Sequence, residues 1–264
     1  MRALLASLPL LPVFASPVQA QIYVSPTRTI LPHLAFGGGW HNRFMSTNYN
    51  STAVTVRLYF YGNDGSALTV PLQEAGGSAI APTSDLDVAL AAYGTRVIET
   101  NERRGSALSQ GWAVADCGSA TCQNVSINGV FATAAMPGPV FEATIFASDS
   151  TATNVAFPFD NRDGFVTGVA ITARDCMSSN PGVSLALRCA DDPANVSYRN
   201  VSMMCPGHTS FSLPDLVPAS KNRMGQVYVS DDRSFNKASV SAVALLFNPD
   251  SGAHTTIPGS EYIP

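Results

Sequence analysis

The chain has 264 residues, 45% of them hydrophobic and only 13% charged, with a formal net charge of −4. Without a Lys/Arg cluster, nucleic acid and an anionic membrane surface are excluded as natural partners. Its 20 glycines and 18 prolines suit strands joined by tight turns better than helices, whose exposed faces carry more Glu, Lys and Arg.

Residues 1–20, MRALLASLPLLPVFASPVQA, set Arg2 before an apolar run, then Pro17 and small residues ending at Ala20. That is the pattern of a secretory signal peptide, so a secreted, extracellular or periplasmic location is expected. No later segment reaches the ~18 uninterrupted apolar residues of a membrane span. Residues 21–35, QIYVSPTRTILPHLA, read as an extended arm able to add as a strand to a neighbouring sheet edge.

Period-two alternation then dominates. Along 53–61, Val54, Val56, Leu58 and Phe60 fall on one face and Thr55, Arg57, Tyr59 and Tyr61 on the other, and the run stops at Gly62-Asn63-Asp64-Gly65, a hairpin signal. Strands are predicted at 42–48, 53–61, 67–72, 95–100, 111–116, 125–133, 139–147, 166–174, 183–189, 196–203, 208–213, 225–230, 239–247 and 253–257. The single helical expectation is 84–92, overlapping the end of a surface insertion at about 74–90. The chain therefore reads as all-β.

Spacing suggests an internal repeat. Gly94 to Gly111 spans 17 residues and Gly207 to Gly225 spans 18, while Val130-Phe131 answers to Leu246-Phe247. Two tandem immunoglobulin-like β-sandwich modules are expected, 21–150 and 151–264, with the boundary in the polar run SDSTAT. The series GWA (111–113), GVF (129–131), PGPVFEA (137–143), PFDNRDGFVTGVAI (158–171), GHTSFSLPDLVPA (207–219) and LLFNPDSGAHTTIP (245–258) resembles exported bacterial proteins of the kind abundant in soil Acidobacteria. The resemblance implies secretion and tandem β-sandwich modules, and it carries over no catalytic residues.

Five cysteines in an exported chain suggest disulfides. Cys117 and Cys122 enclose only GSAT and are expected to pair at a hairpin tip; Cys176 is expected to pair with Cys205, leaving Cys189 as a buried thiol on the parity of Val183, Leu185 and Leu187. Asp160, Asn161 and Asp163 stand before Gly164, but a calcium loop needs oxygen ligands at alternate positions, and those after Asp160 are Arg162 and Gly164. A turn is the better reading, with Asp160 and Asp163 the only metal candidates. His33, His41, His208 and His254 are too scattered for a zinc motif, and no G-x-S-x-G elbow is present. The sequons at Asn50, Asn124, Asn195 and Asn200 carry little weight.

Flat rings offer the better binding signal. Tyr59 and Tyr61 beside Arg57, with Trp40 in a nearby loop, suit stacking on a sugar or anchoring a protein. The competing reading is that these rings cover the junction between modules. The chain is thus expected to be a non-catalytic exported interaction or adhesion protein without cofactors, with an extracellular glycan or protein as partner. A surface-assembly subunit donating its N-terminal strand and a secreted hydrolase are the alternatives.

Overall fold

The structure, a computed structural model, describes residues 27–101, 106–118, 124–133, 141–149, 152–176, 182–231 and 239–261. Its first half contributes β1 (Arg28–Phe36), β2 (Trp40–Asn48), β3 (Val54–Gly62), β4 (Val70–Glu74), β5 (Ala79–Thr83), β6 (Asp85–Leu90), β7 (Thr95–Thr100), β8 (Ser109–Asp116), β9 (Val125–Thr133), β10 (Phe141–Phe146) and β11 (Ser148–Asp149). The second contributes β12 (Asn154–Asp160), β13 (Val166–Arg174), β14 (Gly182–Cys189), β15 (Asp192–Ser202), β16 (Gly207–Ser212), the short helix α1 (Leu213–Leu216), β17 (Met224–Asp231), β18 (Ser239–Phe247), β19 (His254–Pro258) and β20 (Ser260–Glu261). The chain is all-β, and no helix among the described residues is long and apolar enough to cross a membrane.

The strands form four open sheets, ordered β11-β1-β8-β3-β6, β10-β9-β2-β7-β4-β5, β15-β14-β17-β12-β20 and β16-β13-β18-β19. Read backwards, the third order repeats the first strand for strand: β11, β1, β8, β3 and β6 answer to β20, β12, β17, β14 and β15. The fourth likewise repeats β10-β9-β2-β7, and β4 and β5 have no counterpart among the described residues. The glycine landmarks fall on matched strands, with Gly111 in β8 and Gly225 in β17. The order departs from the expected immunoglobulin one, in which the last strand lies beside the sixth. Here β9 adds to β2, and β1 takes the place beside β8.

Alternation explains the cores. In β3, Val54, Val56, Leu58 and Phe60 are buried together with Phe44, Ile98 and Phe131 between the first two sheets. Phe157, Phe159, Ile171, Leu185 and Val227 do the same between the third and fourth. Each such side chain contributes about 1.5–3 kcal/mol by leaving water. Cys189 is buried as a free thiol, as its parity predicts, and Cys176 lies at disulfide distance from Cys205 with Cα atoms 6.1 Å apart. Cys122, the expected partner of Cys117, lies outside the described residues.

Three expectations are corrected. Residues 84–92 are not helical: β6 pairs with β3 in the register Val56↔Val88 and Leu58↔Leu86. Cross-strand pairing overrides the helical composition here, and Val88 and Leu90 enter the core, so the 74–90 segment is more than a surface insertion. Residues 28–35 of the arm read as able to add to a neighbouring sheet pair within the same chain, β1 lying between β8 and β11. β1 escapes a period-two reading because it is buried on both faces and carries a bulge after Leu31. Trp40 is the first residue of β2 rather than a loop residue.

The two halves pack closely. The fourth sheet is buried on its outer face too, where Ala170, Thr172, Ser241 and Val243 meet the first half. Thr172 Oγ1 donates to Pro32 O at 3.0 Å, Ser148 Oγ to Ser241 Oγ at 2.7 Å, and the His208 N–H to Asn63 O at 3.0 Å. Gly65, at φ +77°, lies so close to Pro206 that a Cβ would sit 2.1 Å from its carbonyl oxygen. Only glycine fits there, on both backbone and steric grounds.

Candidate functional site

Tyr59 and Tyr61 leave β3 on the face opposite the core, as alternation dictates. Tyr61 lies directly across from Trp112 of β8, and their rings stack at 4.5 Å and 22°. Trp112, Ile30 and Val114 form a small separate apolar cluster beneath the two tyrosines. At one rim, Arg28 Nε donates to Asp116 Oδ2 at 2.6 Å, joining β1 to β8. From the second half come Arg174, at the end of β13, and the Cys176–Cys205 pair, which ties the chain after β13 to the chain before β16. Together these groups, Ile30 excepted, line a cleft of about 380 Å³.

Arg174 holds its guanidinium 5.8 Å over the Trp112 ring. Its ion pair with Asp175 is long, 3.8 Å, and Nη1 is buried without an acceptor, as is Trp112 Nε1. A buried donor left unmatched costs about 1–3 kcal/mol. Burial pushes the Tyr61 hydroxyl above its ordinary pKa, which keeps it a neutral donor. The half-buried rings of Tyr59 and Tyr61, edged by guanidinium and carboxylate groups, can take the C–H face of a sugar while its hydroxyls meet the rim.

The other two expected ligand residues lie elsewhere. Arg57 is held by β6, donating from Nε to Asp85 at 3.0 Å with Asp87 at 3.6 Å, and it stands over the exposed side of the Tyr59 ring. It does not line the cleft. Trp40 stacks on Phe131 at 4.3 Å and lines a second cavity, of about 260 Å³, together with His33, Leu245 and Phe247. The expected quartet therefore splits, and Arg28, Trp112, Asp116 and Arg174 complete the first cleft instead. Sequence spacing hides these four because they arrive from β1, β8 and β13. The outward parity of Trp112 with Val114 was the one available clue.

The acidic stretch from Asp160 builds a turn. Arg162 grips both Asp160 oxygens, at 2.9 and 2.7 Å, and this hydrogen bonding holds the carboxyl below its usual range. Buried Asn161 accepts from the Thr167 N–H at 2.6 Å and donates to Ser220. Asp163 and Gly164 both take positive φ, 54° and 81°, and Phe165 N–H closes on Arg162 O, a two-residue turn. It carries the chain from the third sheet to the fourth. Among the described residues no three His, Cys, Asp or Glu side chains converge as metal ligands would.

The fold does join two of the scattered histidines. His33 Nδ1 and His208 Nε2 lie 3.0 Å apart, and His208 Nδ1 meets Asn63 Oδ1 at 2.8 Å. Burial lowers His33 to about 4; burial and then His33 lower His208 to about 2. Both rings are neutral at physiological pH.

Among the described residues, fold and cavities together define an all-β chain of open sheets with ring-lined hollows where its halves meet. Neither a protein-family model, nor a curated protein, nor a solved structure matches it.

Proposed function

We propose that the chain is an exported, non-catalytic interaction protein of two tandem β-sandwich modules, 21–150 and 151–264, that holds a saccharide in the Tyr59–Tyr61 cleft. The observation that carries this reading is the cleft's composition: the half-buried rings of Tyr59 and Tyr61, Tyr61 backed by Trp112, beside the Arg28–Asp116 pair and Arg174. A sugar supplies both what a flat ring prefers, an apolar face, and hydroxyls to meet the charged and phenolic groups of the rim. The repeated strand order supports the tandem plan. Export is supported by the leader-like residues 1–20 and by a cysteine pair at disulfide distance, which suits an oxidising location. Incorporation of β1 into its own sheet favours an autonomous binder over a subunit that lends a strand.

The test is retention of the chain lacking residues 1–20 on a panel of immobilised polysaccharides. Retention on a defined polymer is expected, lost in Tyr61→Ala and kept in Arg57→Ala, with melting temperatures unchanged. Retention of Tyr61→Ala equal to that of the parent, or no retention on any polymer, refutes the assignment.

A further inference from the structure

We propose that the second cavity binds a small aromatic compound of one or two rings bearing a single O–H or N–H donor, the chemistry of a phenol or an indole, with His33 Nε2 as acceptor. The cavity opens between the halves. Trp40 and Phe131, stacked at 19°, make a flat wall, and Leu245 and Phe247 of β18 add further apolar lining. Its volume is about 260 Å³. A dry apolar cavity of roughly 150 Å³ already admits benzene, so there is space here for one ring with substituents or for two fused rings.

The polar requirement comes from the histidine chain. Asn63 Oδ1 is an acceptor, so His208 Nδ1 bears the proton and donates to it across 2.8 Å. That leaves a lone pair on His208 Nε2, which must be met by a proton on His33 Nδ1, 3.0 Å away. His33 Nε2 is then itself a lone pair, and no hydrogen bond from a described residue reaches it. His33 lines the cavity and has the ring of Phe131 at 5.3 Å. The other polar groups of the lining are Gln110 and Ser210, which bond each other at 3.3 Å, with Ser212 and Thr256; the open acceptor of His33 beside the ring wall selects a donor on a ring-shaped guest. Burial keeps the imidazole uncharged at neutral pH, so the acceptor persists under physiological conditions.

Calorimetric titration of the chain with phenol, toluene and benzaldehyde separates shape from hydrogen bonding. Phenol is expected to bind about tenfold more tightly than toluene, the value of one net hydrogen bond. Ala170→Leu, which adds bulk from a buried position on the cavity wall, is expected to abolish binding of all three and to leave polysaccharide retention through Tyr61 intact. In the unaltered chain, phenol is expected to shift the ¹⁵N resonance of His33 Nε2, a readout that needs no variant. Equal binding of phenol and toluene, preference for the acceptor-only benzaldehyde, undiminished phenol binding in Ala170→Leu, or no binding of any of the three would each overturn the proposal.

Discussion

Lowering the pH from 7 to 5 should weaken the fold through its buried histidine pair. The folded-state values, about 4 for His33 and about 2 for His208, lie below the ordinary 6.5. The unfolded chain therefore takes up protons first. Stability is complete above about pH 6.5 and is lost as the pH falls toward the folded-state values. At pH 5 each histidine contributes a loss of about 2 kcal/mol relative to pH 7, and the pair about 4 kcal/mol. Carboxylates act in a different window: Asp64, Asp160 and Asp191 are held below 3.8, so what they stabilise is retained until the pH drops further. Urea denaturation followed by circular dichroism at pH 7, 6 and 5, at constant ionic strength, measures the slope. A double His33→Gln, His208→Gln variant should be less stable at pH 7 but nearly insensitive over this range. A loss below about 1 kcal/mol in the parent chain, or an equal loss in the double variant, would refute the reasoning.

Other outcomes follow from the same geometry. Replacing Cys176 and Cys205 by serine opens a loop with a sequence separation of 29 and should cost about 3.5 kcal/mol, read as a lowered urea midpoint under oxidising conditions. Gly65→Ala forces a Cβ into the Pro206 carbonyl, so a destabilisation of about 1–3 kcal/mol is expected, with faster proteolytic cleavage between the halves. Arg174→Gln removes the cation above Trp112 and should weaken saccharide retention several-fold without altering the melting temperature. Because Arg162 occupies Asp160, neither calcium nor a chelator should move the melting temperature; a calcium-dependent rise would reopen the metal reading.

Much of the architecture was legible in the sequence because β alternation is a local signal. Residues 53–61 and 183–189 announced their buried faces, and the strands at 95–100, 125–133, 166–174 and 239–247 coincide with β7, β9, β13 and β18. The failures have physical causes. β1 is covered on both faces and so shows no alternation; β12 carries Pro158, which argues against a strand unless its missing N–H is harmless. β6 has a helix-like composition, and it is extended because β3 offers it a pairing edge.

The candidate sites divide along the same line. Residue order alone determined that Tyr59 and Tyr61 share an outward face, that Cys189 points inward, and that Asp160 is followed by its own cation at Arg162. Tertiary structure alone decided that Trp112 slides under Tyr61, that Arg174 crosses from the other half to stand over it, and that His33 and His208, 175 residues apart, meet at 3.0 Å. Strand parity is fixed by bonds between neighbours in the chain, whereas these meetings depend on which sheets pack face to face.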